Sequence, residues 1–195
     1  MTMLIELLLG GLLGYLLGSV PTGVLVGRML RGSDVRQHGS GHTGGMNVSR
    51  VAGVWGGVLT AVGDILLGVV AVAGAVLVTK NPWATTAAGA MAVVGHNWSV
   101  FIRFAGGIGL STLTGVLLCL SPLRALEAAV GLGVLWFVLT GLLHIHRARA
   151  TVLIMAAVGP TLWVLGFPLH GILLGGLGGA AVIVKTLPDW NRQYE

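Results

Sequence analysis

The chain has 195 residues, of which 55% are hydrophobic and 9% charged, with a formal net charge of +5 and a mean hydropathy of +0.93. An ordinary water-facing surface needs about 25% charged residues, so a soluble domain is excluded and an integral membrane protein is implied. Its 33 glycines are more than twice the usual share of about 7%; without a Gly-X-Y period they exclude collagen and point to close helix packing and glycine loops.

Apolar runs fall near residues 3–27, 51–78, 83–102, 110–120, 126–143, 152–167 and 171–184. A crossing needs about 20 apolar residues, so the simplest expectation is a polytopic all-α bundle of seven transmembrane helices, one membrane domain over 1–195. The runs are continuously apolar rather than alternating, which rules out a membrane β-barrel. In the first run, no Lys or Arg precedes Arg28 and no small-residue cleavage site follows, so no signal peptide is expected. Gly18-Ser19-Val20-Pro21-Thr22-Gly23 predicts close packing and a kink there. The fourth and seventh runs, 110–120 and 171–184, are short for a bilayer of about 30 Å, so either flanking glycines extend them or the fourth is a tilted or partial span. The fourth run contains the single cysteine, Cys119, which leaves no disulfide framework within the chain and reads as core packing.

Charge orients the bundle. With the N-terminus outside and the C-terminus cytoplasmic, the inner loops hold Arg28, Arg31, Arg36, Arg50, Arg103, Arg147, Arg149, Lys185 and Arg192, and the outer loops hold Lys80 and Arg124. Such a basic collar suits anionic headgroups, and no nucleic-acid partner is implied. His38, His42, His96, His144 and His146 map to the inner side, and His170 to the outer. A polar site would open to the cytosol and suit an anion such as phosphate better than a metal.

The densest motif is Gly39-Ser40-Gly41-His42-Thr43-Gly44-Gly45-Met46-Asn47-Val48-Ser49-Arg50, leading into the second helix. Its glycines let backbone N–H groups turn toward one point, and a helix N-terminus adds a favourable dipole for phosphate; a flexible inner loop is the plainer reading. It is not a Walker A loop, because Gly45-Met46 stands where Lys-Ser/Thr is required. Asp64 lies about 16 Å along its helix from Gly53, and an intramembrane carboxylate is expected to be neutral, hydrogen-bonded or paired with an inward-reaching arginine. Gly95-His96-Asn97 and the loop Ala105-Gly106-Gly107-Ile108-Gly109-Leu110-Ser111-Thr112 read either as parts of the same pocket or as interhelical hydrogen bonding and a tight helix start. His144-x-His146 lacks further ligands and reads as a basic helix end rather than a metal site.

Together, Gly18-Ser19-x-Pro21-x-Gly23, the Gly-Ser-Gly loop ending Asn47-Val48-x-Arg50, Asp64 followed by Gly68, and Gly95-His96 with Gly106-Gly107-x-Gly109 resemble the acyl-phosphate glycerol-3-phosphate acyltransferases, the PlsY family, in order and spacing over nearly the whole chain. The resemblance implies an enzyme of the bacterial inner membrane with its active site open to the cytosol. It implies a reaction in which the 1-hydroxyl of glycerol 3-phosphate attacks the carbonyl of an acyl phosphate, giving lysophosphatidate and phosphate, without metal, coenzyme A or acyl carrier protein. It assigns the catalytic roles to Ser40, Asn47 and Arg50. Phosphate binding falls to Gly39, Gly41, His42, Gly44, His96, Gly106, Gly107, Gly109 and Ser111, with Asp64 and Arg103 in support. Beyond the two substrates, membrane lipids are the expected partners, and the glycine-rich helix faces permit a homodimer.

Against the family pattern, Leu67, Ala105 and Ile108 stand where lysines are typical, and His42 stands where the Gly-Ser-Gly motif is followed by asparagine. His42, Arg103, Arg147 and Arg149 are the side chains available to compensate. The residues alone leave two other functions open: a noncatalytic relative that binds lipid or regulates a partner, and a transporter, for which convincing inverted repeats are missing.

Overall fold

A computed structural model describes residues 2–192. The elements in order are α1 (Met3–Gly18), α2 (Thr22–Arg31), α3 (Gly45–Thr79), α4 (Pro82–Asn97), α5 (Leu110–Leu120), α6 (Pro122–Phe137), α7 (Arg147–Val164) and α8 (Leu169–Thr186), with no strand among the described residues. Among the described residues, four stretches are long and apolar enough to cross a membrane: Met3–Arg31, Gly45–Thr79, Pro122–Leu142 and Leu169–Asp189. The break between α1 and α2 falls at Ser19–Pro21, where the sequence predicts a kink. Proline opens both α4 and α6, where its missing N–H costs nothing.

Large side chains such as Leu4, Leu77, Trp55 and Trp163 point outward, as they do when lipid is the solvent. Beside a buried core that includes Leu113, Leu162 and Leu174, the closest helix contacts are made by small residues. Gly10, Gly14 and Gly18, one turn apart on α1, lie against the carbonyls of Ala84, Ala88 and Ala92 on α4; even at Gly10, the loosest of the three, a Cβ would sit 2.5 Å from the Ala84 oxygen. On the other side of the bundle, Gly68 and Gly115 bring α3 and α5 together in the same way. Lipid tails are as apolar as leucine, so backbone approach of this kind, rather than a hydrophobic drive, supplies helix association.

One element differs from the sequence reading. The expected second helix, 51–78, is part of a longer element interrupted at Gly53, whose φ of 82° and ψ of 170° are non-helical. The chain reverses there. Ser49 packs on Gly57, and a Cβ on Gly45 would lie 3.5 Å from that of Ala61, pairs symmetric about Gly53. Residues 45–52 thus form a short arm folded back along 54–61, which periodicity cannot show because both arms are helical. The fourth run becomes α5, an 11-residue helix about 16 Å long, so it penetrates only part of a bilayer.

The loops gather at two ends. At one, Arg36 Nη1 donates to Ile102 O (3.0 Å), and Arg149 Nη2 donates to Asn191 Oδ1 (2.6 Å). At the other, Asn81 Nδ2 donates to Glu6 Oε2 (2.6 Å), and Arg124 Nη1 donates to Gly166 O (2.6 Å). This is the grouping drawn from charge alone.

Candidate active site

The glycine loop is shaped by one side chain. Asn47, 2% exposed in the first turn of α3, accepts the Ser40 N–H on Oδ1 (2.9 Å) and donates from Nδ2 to the carbonyls of Val35, His38 and His42 (2.9 to 3.1 Å). Gly39 and Gly41, at φ of 55° and 73°, make the turns that wrap the loop around this amide. Engaged with backbone through both its oxygen and its nitrogen, Asn47 organises the loop.

Reversal at Gly53 carries the first turn of α3 inward to the depth of Ala61 and Asp64, and a cavity of about 350 Å³ lies beneath it. Three helix N-termini line this cavity: Gly45 and Met46 of α3, Leu110 and Ser111 of α5, and Arg147 and Ala148 of α7. Each end carries roughly half a positive charge from aligned peptide dipoles, so their convergence makes an anion site even before Arg50 and Arg147 are added to the wall. Ser40, His42, Gly44, His96 and Gly109 complete the lining from the loops.

Asp64, 1% exposed, sits at the floor. It accepts the Thr22 hydroxyl, and His96 Nδ1 stands 3.6 Å from its Oδ1. Of the outcomes the sequence left open for it, hydrogen bonding is the one seen, because the break at Ser19–Pro21 sets Thr22 at the start of α2, facing α3. At the rim, His42 Nε2 lies 2.6 Å from Oδ2 of Asp189, a buried carboxylate on the turn after α8.

A second cavity of about 310 Å³ adjoins the first and shares Met46 and Leu110 with it. Its wall is apolar, formed by α5, α6 and α7 with Leu117, Ala128, Val158 and Leu162 among the side chains.

The sequence-selected residues sort unevenly. Ser40, His42, Gly44, Asn47, Arg50, Asp64, His96, Gly109 and Ser111 all border the polar cavity. Gly106 and Gly107 do not, and their N–H groups bond the carbonyls of Asn97 and His96 (3.3 and 3.1 Å), so the second glycine loop offers fewer donors than its composition suggests. A Cβ on Gly107 would strike the His96 ring, which gives that glycine a packing role. Gly41 likewise donates to His38 O, and Gly39 borders an outer cleft with Arg31, His38 and Arg50. Arg103 is exposed and lies off the cavity, while Arg149 stacks over Trp190 at 5.7 Å; of the cations considered as replacements for lysine, Arg147 is in place. His146 accepts from Ala148 N at the start of α7 and bonds Arg192 O through Nε2, the helix-end role read from the sequence.

Asp34 ties the two loops together. Its carboxylate holds the Arg36 guanidinium by two contacts of 2.6 and 3.0 Å, and Arg36 reaches across to Ile102 O. Hydrogen bonding from Arg36, opposed by burial and aided by the charges of Arg36 and Arg28, lowers the Asp34 pKa from 3.8 to about 2. The folded state binds this proton less readily than the unfolded chain. The contribution of Asp34 to stability is therefore complete above about pH 4 and disappears as pH falls toward about 2. The unfolding midpoint of Asp34→Asn in detergent should fall below that of the parent at neutral pH, and the two should converge in that acid window.

The fold and its two cavities define a class, a polytopic membrane protein with a polar cavity lined by helix N-termini and joined to an apolar one. A family model described as glycerol-3-phosphate acyltransferase matches residues 8–193. A glycerol-3-phosphate acyltransferase of Rubrobacter xylanophilus is 44% identical over 173 residues, covering 88% of this chain and 83% of the relative. One of Halalkalibacterium halodurans is 37% identical over 183 residues, covering 92% and 84%. The crystal structure of PlsY, an integral membrane glycerol 3-phosphate acyltransferase, in its glycerol 3-phosphate form superposes with a TM-score of 0.80 at 30% identity, over 95% of this chain and 90% of that one. Its lysophosphatidic acid form gives 0.78 at 29% over the same shares. The chain belongs to the glycerol-3-phosphate acyltransferase family.

Proposed function

We propose that this family member transfers a fatty acyl group from acyl phosphate to the 1-hydroxyl of glycerol 3-phosphate, releasing lysophosphatidate and phosphate. The observation that carries the reading is the junction at Met46 and Leu110, where a cavity built for phosphate meets one built for hydrocarbon. An acyl phosphate needs both, and the bond it presents is already activated. The protein's task is to hold two phosphorylated molecules in register and stabilise developing charge. In this reading the N-termini of α3, α5 and α7, with Ser40, Arg50 and Arg147, hold the phosphates, while the apolar cavity takes the chain. Asn47 acts through the loop it shapes. The reaction proceeds without a metal ion or coenzyme A.

The basic collar supports a place in the bacterial inner membrane with the polar cavity facing the cytosol. Gly131 and Gly133, around which an added Cβ would meet nothing, leave α6 free to approach a second copy in a homodimer.

The test is lysophosphatidate formation by the purified protein in bilayers, from palmitoyl phosphate and glycerol 3-phosphate, beside palmitoyl coenzyme A as donor. Product with the phosphate donor alone supports the reading; product only with the thioester, or none from a folded protein, rejects it. A further expectation concerns the apolar cavity. Ala128 is 3% exposed on its wall, and Ala128→Phe adds a ring that competes with the chain. Turnover of palmitoyl phosphate should drop at least tenfold, consistent with a pocket discriminating about 1–3 kcal/mol per misfit, while octanoyl phosphate is spared. Equal losses for both donors would place the chain elsewhere.

A further inference from the structure

An outer cleft of about 750 Å³ lies at the end of the bundle where the arginines gather, and acyl transfer gives it no task. The guanidiniums of Arg50, Arg147 and Arg192 and the imidazoles of His144 and His146 line it, with no aspartate or glutamate on its wall among the described residues. Arg147 stands in the first turn of α7, whose N-terminus adds roughly half a positive charge. Asp189 meets Arg192 Nη1 at 3.4 Å and holds it from the turn after α8.

The walls of this cleft are fastened together. His146 accepts the Ala148 N–H on Nδ1 and bonds Arg192 O through Nε2 (3.0 Å), while Arg149 reaches Asn191 Oδ1 at 2.6 Å and stacks over Trp190. These contacts tie the turn after α8 to the start of α7. Another wall is the end of α6, where Trp136 and Phe137 lead into a π-helical turn, Val138–Leu142, of a kind that recurs at functional sites. Trp136 Nε1 donates to Thr151 Oγ1 at 3.2 Å, which holds the indole where the cleft and the apolar cavity share it. Phe137, Leu142 and Leu143 are 62%, 65% and 62% exposed, an apolar surface that meets lipid in a membrane-spanning chain. Trp136 and Trp190 stand near the ends of the spans Pro122–Leu142 and Leu169–Asp189, where tryptophan marks the headgroup level of a bilayer.

We propose that the outer cleft binds the phosphate headgroup of an anionic membrane phospholipid, with the lipid's chains lying against Phe137 and Leu142. A phosphodiester of net negative charge complements the three guanidiniums, whose planar forks bridge phosphate oxygens. A free anion carries the same charge and gains nothing from the apolar rim, so the rim selects a lipid. Arg50 and Arg147 also border the polar cavity, which sets the headgroup beside the proposed chemistry. Lipid binding here requires only the membrane fold and stands whichever acyl donor is used.

The experiment reconstitutes the full chain in nanodiscs of equal phosphatidylcholine and phosphatidylglycerol, releases it into detergent and counts bound lipid by native mass spectrometry. The variants are Arg192→Gln, His144→Gly and Arg31→Ala, with unfolding midpoints for each. Arg192 and His144 border the outer cleft and not the polar cavity; His144 has a φ of 51°, so glycine removes its ring without backbone strain. The parent should retain phosphatidylglycerol over phosphatidylcholine. Arg192→Gln should lower that preference about fivefold, the worth of one cation at an anionic lipid surface, and His144→Gly should lower it too. Arg31→Ala removes a charge that borders the neighbouring cleft and not this one, and should leave the preference unchanged. Equal retention of the two lipids by the parent would overturn the site. Equal losses in Arg31→Ala and Arg192→Gln would reduce it to diffuse attraction by the basic collar, and displacement of phosphatidylglycerol by excess inorganic phosphate would reduce it to a site for a free anion. If Arg192→Gln fails to fold, His144→Gly decides, and a parent-like preference there overturns the assignment.

Discussion

Arg50→Ala should reduce kcat/KM for lysophosphatidate formation by 100-fold or more. Among the described residues, Arg50 and Arg147 are the only lysines or arginines on the wall of the polar cavity, and Arg50 also borders the two outer clefts that open beside it. Leu67, Ala105 and Ile108 are apolar, so in the proposed function the cationic share of phosphate recognition is concentrated on these two arginines. Charge-assisted hydrogen bonds are about twice as strong as neutral ones, and loss of one donor to a developing oxyanion typically costs about 100-fold to 1,000-fold. Arg50→Lys should recover only a minor part, because an ammonium is a point charge and cannot bridge two phosphate oxygens as a guanidinium does. Initial rates at saturating and limiting glycerol 3-phosphate separate the effects on kcat and KM. Rates within threefold of the parent in Arg50→Ala would shift the role to Arg147.

Gly53→Val is expected to have an effect of similar size by another route. At φ 82° and ψ 170° the backbone occupies a region essentially reserved for glycine, with strain of about 1–3 kcal/mol for other residues, and a β-branched side chain is the least suited to it. Nothing crowds this position, since an added Cβ would meet no atom within 4 Å. The cost is therefore conformational. It falls on the reversal that presses Ser49 onto Gly57 and Gly45 toward Ala61, and relieving it would withdraw the α3 N-terminus from the cavity. The variant should keep its helical circular dichroism, unfold several degrees earlier and lose at least nine-tenths of its activity. Gly131→Ala, at an exposed glycine with open space around it, is the matched control and should behave as the parent. Parent-like activity in Gly53→Val would show that the hairpin does not position the site.

Much of the site is legible in the chain. The motif of Gly39 to Arg50 borders the polar cavity through Ser40, His42, Gly44 and Arg50, and Asp64 and His96 meet there. Asn47 is harder to read, because an amide that holds a loop and an amide that holds a substrate have the same sequence signature; only its carbonyl partners separate them. Gly106 and Gly107 show the reverse problem, since glycine content measures the freedom of a backbone and not whether its N–H groups are already engaged. Asp189 escaped the sequence reading. Nothing in its spacing marks it, since it is one of three acidic residues on the side where five histidines gather.

The sequence by itself determined that this is a membrane bundle, that its cations gather at one end, and that the glycine loops share that end. These are additive properties of local segments: transfer of apolar side chains to lipid, and the sign of charge beside each span. It also carried the family, because motif order is a linear property. Only the tertiary structure decided that the chain turns back at Gly53, that α3, α5 and α7 bring their N-termini to one cavity, that a polar and an apolar cavity meet at Met46 and Leu110, and that Asp189 holds His42. Each of these depends on which backbones pack closely enough to touch. That is set by small residues on facing helices, where the choice of partner is a property of the assembled bundle and not of either segment alone.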